Sequence, residues 1–269
     1  MPSAGPLFFL EALPPPDSPK VRRRGTLVLL HAFPLNARMW EGQLSLAGRG
    51  WHVIAPHFRG VDGTGHSQPA GSIDDHAADL IDLLDAMHVE DAVIGGLSMG
   101  GYVAFALFRH APSYFRALIL ADTRSQADTP AGIEGRKKML EQLERGGPNA
   151  IANEMLPKLL CESTRATRPE VVARVRAMIL SRPPESISSA IHALMARPDA
   201  TPLLPAIRVP TLILVGEEDA LTPPSAAEEM HARIAGSELV RIPGAGHLSN
   251  IDQPEIFNDA LARFLDHRV

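Results

Sequence analysis

Ala92-Val93-Ile94-Gly95-Gly96-Leu97-Ser98-Met99-Gly100-Gly101-Tyr102-Val103 is the stretch on which the fold turns. An apolar run suited to a buried strand stops at Leu97, and helical spacing (Met99, Val103, Leu107) starts immediately after Ser98. Gly96 to Gly100 fits G-x-S-x-G, and here the pattern sits between strand and helix, the context that gives it meaning. A sharp strand-to-helix turn lifts a serine hydroxyl clear of the backbone only if its flanking residues lack a Cβ, and the new helix aims N–H groups at negative charge beside it. Ser98 is therefore the candidate nucleophile. The competing view is a glycine-rich packing turn whose serine caps the helix. A phosphate-binding loop is excluded because no Lys-Ser or Lys-Thr follows Gly95 to Gly101.

Further apolar runs lie on either side: Thr26 to Leu30, His52 to Ala55, Ala117 to Ala121, Thr211 to Val215 and Glu238 to Ile242. They are continuous rather than alternating, as in strands covered on both faces of a parallel sheet. Helical stripes separate them, among them Leu80, Leu83, Leu84 and Met87, and Phe257, Leu261, Phe264 and Leu265. The alternation predicts an α/β fold with a doubly wound, mostly parallel sheet. Between Asp122 and about Ala200 it lapses into four helical stripes separated by Gly146-Gly147-Pro148, Arg168-Pro169 and Pro183-Pro184. The predicted organisation is a core of residues 1–121 and 201–269 with a helical cap, 122–200, inserted.

A serine hydroxyl near its free pKa needs a base, and the base needs a partner that sets its tautomer. Asp219 follows one predicted strand in Gly216-Glu217-Glu218-Asp219, and His247 follows the next in Gly244-Ala245-Gly246-His247. Both fall in loops after strand C-termini, where open parallel sheets bind ligands. Glu217, Glu218 and Asp122 compete for the acid role, with Asp219 favoured by loop position. The oxyanion donors expected are the backbone N–H groups of Met99 and of Phe33, which precedes Pro34 and its missing N–H. Leu35, Trp40, Leu221 and Leu248 lie near these loops in sequence and are expected at the substrate pocket. Met155 is expected there as an apolar cap residue, and Arg124 as a carboxylate contact or a partner for a cap acid.

The composition is that of an ordinary globular chain: 269 residues, 45% hydrophobic and 21% charged. A formal charge of -5 with no basic stripe argues against nucleic acid as a partner, and the run Arg22-Arg23-Arg24 reads as a solvated turn. The single cysteine, Cys161, rules out an intramolecular disulfide and a Cys-rich metal site. His52, His57 and His66 lack metal-ligand spacing, and His31 is expected to order its loop. Glu11 interrupts Leu7-Phe8-Phe9-Leu10, and no stretch nears the roughly 18 to 20 apolar residues of a membrane span, so a cytoplasmic location without membrane contact is expected. The oligomeric state is open.

These residues resemble the α/β-hydrolase fold family across nearly the whole chain. Leu29 to Pro34 resembles its H-G-x-P loop, Gly96 to Gly100 its nucleophile elbow, Gly216 to Asp219 its acid loop, Gly244 to His247 its histidine loop, and the helical insertion its cap. Two departures stand out: Ala32 where the family usually has glycine, and His57 to Ser67 where it has D-x-R-G-x-G, with His in the Asp place and extra residues. Within the family the chain is most similar to carboxylesterases and enol-lactone hydrolases. The resemblance implies cofactor-free hydrolysis of small to medium acyl or aryl esters through an acyl-enzyme. A carbon-carbon bond hydrolase, enol-lactonase or perhydrolase on the same residues, and a non-catalytic small-molecule sensor, are the alternatives.

Overall fold

The computed structural model describes residues 3–4, 7–15, 23–61 and 69–269. Arg22 and residues 62–67 of the inserted stretch, His66 among them, lie outside the described residues. The elements are β1 (Ser3–Ala4), β2 (Leu7–Ala12), β3 (Gly25–Leu30), β4 (Trp51–Pro56), α1 (Ile73–Ala86), β5 (Ala92–Leu97), α2 (Met99–His110) and β6 (Phe115–Ala121). There follow α3 (Pro130–Leu159), α4 (Glu162–Thr167), α5 (Pro169–Leu180), α6 (Pro184–Ala196), β7 (Thr211–Gly216), α7 (Pro224–Arg233), β8 (Glu238–Ile242), α8 (Ser249–Asp252) and α9 (Pro254–His267).

The strands form one sheet in the order β1-β2-β4-β3-β5-β6-β7-β8. From β4 across to β8 every pairing is parallel. The central β5 and β7 are buried at all six positions, which is why their sequences run continuously apolar. The far edge differs. Leu7 to Leu10, read from sequence only as an apolar run interrupted by Glu11, opens strand β2, antiparallel to β4. Leu7 and Phe9 share one face and are buried, while Glu11, two residues further along that same face, is exposed, so the buried face ends before the strand does.

Helix positions follow from caps and stripes. Ser72 Oγ accepts from the Asp75 N–H at 3.1 Å while Asp75 Oδ2 accepts from the Ser72 N–H at 2.9 Å, a reciprocal cap that starts α1. Leu80, Leu83 and Leu84 on α1 are buried, and α1 packs on α2. Phe257, Leu261, Phe264 and Leu265 do the same for α9. Arg24, at the end of the basic run, is exposed and pairs with Asp266 at 2.6 Å. No helix among the described residues is long and apolar enough to cross a membrane.

Residues 130–196 are helical with no strand among them. Pro169 and Pro184 each open a helix, where a missing N–H costs nothing. Gly146-Gly147-Pro148 divides α3 as expected: the backbone leaves helical geometry at Gly147 (φ 60°, ψ −162°), which suits a residue without a Cβ, so α3 is two helical stretches meeting at a kink. Helix α3 packs on α5 and α6.

Candidate active site

Three close approaches, two of them to backbone, build the turn around Ser98. A Cβ on Gly96 would lie 2.2 Å from the Gly100 carbonyl carbon, one on Gly100 would lie 2.1 Å from the Leu30 carbonyl oxygen, and one on Gly101 would lie 2.5 Å from Thr123 Oγ1. Ser98 itself has φ 55° and ψ −114°, a left-handed backbone rare outside glycine, and its carbonyl accepts from the Gly101 N–H at 2.9 Å and Thr123 Oγ1 at 2.9 Å. Although it occupies the cap position of α2, its side chain makes no capping bond. The hydroxyl is thus not spent on the helix, and Ser98 borders a cavity of about 210 Å³ together with His247.

The acid loop and histidine loop meet back to back. A Cβ on Gly216 would fall 2.2 Å from the Gly246 carbonyl oxygen, so β7 can end against the histidine loop only with glycine there. His247 Nδ1 lies 2.9 Å from Asp219 Oδ2. The other carboxylate oxygen, Oδ1, accepts from the N–H groups of Leu221 and Thr222 at 2.8 and 2.9 Å, and Thr222 Oγ1 donates to Oδ2 at 2.6 Å. Asp219 is buried, and burial pushes its carboxyl up. The charge and hydrogen bond of His247 and the bonds from Thr222 outweigh that and hold it below the usual carboxylate range. The partner on Nδ1 leaves Nε2 as the ring nitrogen unused by the acid.

The competing acids take other places. Glu217 and Glu218 are exposed. Asp122 is fully buried, accepting from the Gly216 N–H at 2.8 Å and from Ser249 Oγ, so it clamps the end of β7 to the segment after His247. Burial first, then the nearby Asp219, push its carboxyl well above the ordinary value. Asp252 anchors the histidine loop from the other side, with Oδ2 accepting from the N–H groups of Gly246 and Cys161 at 2.8 and 3.0 Å.

Phe33, in the loop after β3, and Met99, at the first position of α2 where an N–H has no acceptor within its own helix, are both buried. The loop carrying Phe33 is pinned despite Ala32. The Ala32 carbonyl accepts from the Leu35 N–H at 2.9 Å, and His31 bridges by Nδ1 to Ala32 O at 3.1 Å and by Nε2 from the Phe58 N–H at 3.1 Å.

Arg124, Met155 and Leu221 line the cavity with Phe33, Ser98 and His247. Leu35, Trp40 and Leu248, expected there, belong to the core instead, each at most 1% exposed. Nearness in sequence misled, because each is turned inward by its own short-range structure. Trp40 sits on the 3-10 segment Ala37–Arg49 with its ring 6.1 Å from that of Phe257, and Leu248 begins the turn of α8. The cavity wall is also more charged than the apolar cap stripes imply, with Asp128, Arg136, Glu154 and Lys158 among its residues. Thr222, which sequence reading passed over, was marked by a signal: a hydroxyl three residues after Asp219, ahead of Pro223 and Pro224. No group of three or more His, Cys, Asp or Glu among the described residues is arranged to hold a metal ion.

The alpha/beta hydrolase family profile matches residues 27–260, and the chain belongs to that family. An esterase from Thermogutta terrifontis shares its fold at a TM-score of 0.89 and 39% identity, covering 97% of this chain and 93% of that one. A 3-oxoadipate enol-lactonase of Acinetobacter baylyi is 28% identical over 88% of this chain and 87% of its own length. A putative carbamate hydrolase of Stutzerimonas stutzeri is 27% identical over 94% and 92%. The protein is a hydrolase of this fold.

Proposed function

We propose that the chain is a serine hydrolase of small carboxylic esters, with residues 122–200 acting as a cap over the site. The single observation that carries this reading is that Ser98, held in a left-handed turn with its hydroxyl off the helix, borders the same cavity as an imidazole bound to Asp219. Ser98 Oγ attacks the ester carbonyl as His247 takes its proton, and the N–H groups of Phe33 and Met99 receive the charge that forms on the carbonyl oxygen. His247 returns the proton to the departing alkoxide as the carbon-oxygen bond breaks. Water, deprotonated by the same imidazole, then cleaves the Ser98 ester and releases the acid. Asp219 orients the ring throughout, and Thr222 orients Asp219. The cavity, at about 210 Å³, supports small substrates rather than long-chain ones.

A lactone, being a cyclic ester, is the second reading, favoured by the likeness to the enol-lactonase. The Thermogutta terrifontis esterase was solved with malate bound, and small organic acids fall within the range proposed here. Labelling by a fluorophosphonate followed by peptide mapping tests the nucleophile. The label is expected on Ser98 and absent from Ser98→Ala; full labelling of the variant refutes the assignment. A panel of p-nitrophenyl esters set beside a lactone and a β-diketone then separates ester, lactone and carbon-carbon cleavage.

A further inference from the structure

Asp128, between β6 and α3, is a buried carboxylate shared by three guanidiniums. Its Oδ1 accepts from Arg124 Nη2 at 2.5 Å and Arg197 Nη2 at 2.9 Å, and its Oδ2 from Arg136 Nε at 3.3 Å. The three arginines are not equivalent. Arg197 is buried over the Tyr102 ring at 4.2 Å and also donates to the carbonyls of Leu194 and Gln126 at 2.7 and 3.1 Å, so its fork is spent on structure. Arg124 and Arg136 line the cavity instead, with side chains 27% and 20% exposed. Arg124 Nε is buried without a partner among the described residues.

One carboxylate neutralises one guanidinium, so the cluster of three arginines keeps two positive charges, and Arg124 and Arg136 are its members that line the cavity. The other acid lining the cavity, Glu154, does not reduce them, because Lys158 sits 2.8 Å from it on the next turn of α3. Partly desolvated cations are costly unless an anion meets them, and a guanidinium fork matches a carboxylate in shape as well as charge. The excess also shares its cavity with Ser98 and His247, and the Arg136 guanidinium stands 5.9 Å from the ring centroid of Phe33, another lining residue. A cluster serving only to neutralise Asp128 needs neither the second and third arginine nor their place in the cavity wall.

We infer that the substrate carries a free carboxylate, held by Arg124 and Arg136, so that the ester is a half-ester of a short dicarboxylic acid or a lactone bearing an acid group. This rests on the ester-hydrolase reading above. A carboxylate, rather than a phosphate, fits acyl chemistry in a cavity this small, because it comes on the same carbon chain as the reacting carbonyl.

The test compares kcat/KM for mono-p-nitrophenyl glutarate with that for p-nitrophenyl hexanoate, an uncharged ester of similar length. The native protein is expected to favour the anionic ester by about tenfold or more at low salt, with the preference shrinking as ionic strength rises. Arg124→Gln and Arg136→Gln, made singly so that Asp128 keeps two cations, are each expected to lower the anionic-to-neutral ratio about tenfold, mainly through KM. Arg241→Gln, which removes an exposed charge from the β8 edge, is expected to leave the ratio as it was. A native preference for the neutral ester, or a ratio unmoved in both cavity variants, overturns the inference while leaving ester hydrolysis intact. If neither ester is cleaved, the ester reading has failed, and the carboxylate site is read by calorimetry with succinate on Ser98→Ala. Binding weakened tenfold or more by adding Arg136→Gln supports the site. The absence of binding up to millimolar succinate, or stronger binding of inorganic phosphate, overturns it.

Discussion

The loops that close β5, β7 and β8 and the helices of residues 130–196 border one cavity but are built on opposite terms. In the loops the main chain makes the site: Gly96, Gly100 and Gly216 allow approaches that a Cβ would block, and Asp122, Asp219 and Asp252 accept backbone N–H groups. On the helices the side chains carry the variation. Arg136, Met139, Met155 and Lys158 project from α3 into the cavity, and space around Gly135 is open. On the proposed function, the difference teaches that bond-breaking machinery and substrate choice are separable here. The first depends on backbone geometry that few substitutions respect, and the second on side chains that can be exchanged.

The sharpest way to break that contrast is at the acids. Asp219→Asn is expected to lower kcat by about four orders of magnitude, measured on whichever ester the native protein cleaves, because the imidazole loses the partner that sets its tautomer. Asp122→Asn should cost far less in kcat, since Asp122 touches Ser249 and Gly216 rather than His247. Equal losses would remove Asp219 from its assigned place.

Glycine substitutions compare the two regions directly. Gly100→Ala forces a methyl against the Leu30 carbonyl and is expected to destabilise by about 3 kcal/mol in denaturant titration, the upper end of ordinary overpacking. Gly135→Ala, in the interior of α3 with nothing within 4 Å of the new carbon, is expected to stabilise by about 0.5 to 1 kcal/mol. Similar effects of both would erase the distinction.

Acid should also act on the sheet end first. His57, after β4, is lowered to about 4 by burial and then by Arg182 and Arg38, and His76 to about 3 by burial and then by Arg182 and Arg59. The unfolded chain protonates these rings near pH 6.5 while the folded one resists. Stability is therefore complete above that value and lost as pH falls toward 4, with about 3 kcal/mol from His57 alone. Thermal midpoints measured from pH 7 to 4 should drop, and His57→Phe should flatten the slope. The helices respond least: Lys158→Ala, breaking an exposed i,i+4 pair with Glu154, is expected to cost about 0.3 to 0.5 kcal/mol, and less in high salt.

Much of this was legible along the chain. The continuous apolar runs named the parallel strands because burial on both faces leaves no polar alternation, and G-x-S-x-G announced its turn because glycine is the residue that tolerates such approaches. Strand β2 escaped notice because Leu7 to Ala12 carries no strict alternation and is set as a strand only where Phe9 and Ala12 stand opposite Pro56 and Val53.

By sequence alone, then, the chain determined its strand and helix order and the loops that would carry Ser98, Asp219 and His247, since these depend on local pattern and chain order. Which of four nearby acids meets His247, that Trp40 and Leu248 face the core, and that three arginines converge on Asp128 were decided only in the folded state. Those outcomes depend on side chains such as Asp219 and His247, 28 residues apart, and Asp128 and Arg197, 69 apart, settling into one low-dielectric space, where burial, repulsion and hydrogen bonding select among groups that look alike on paper.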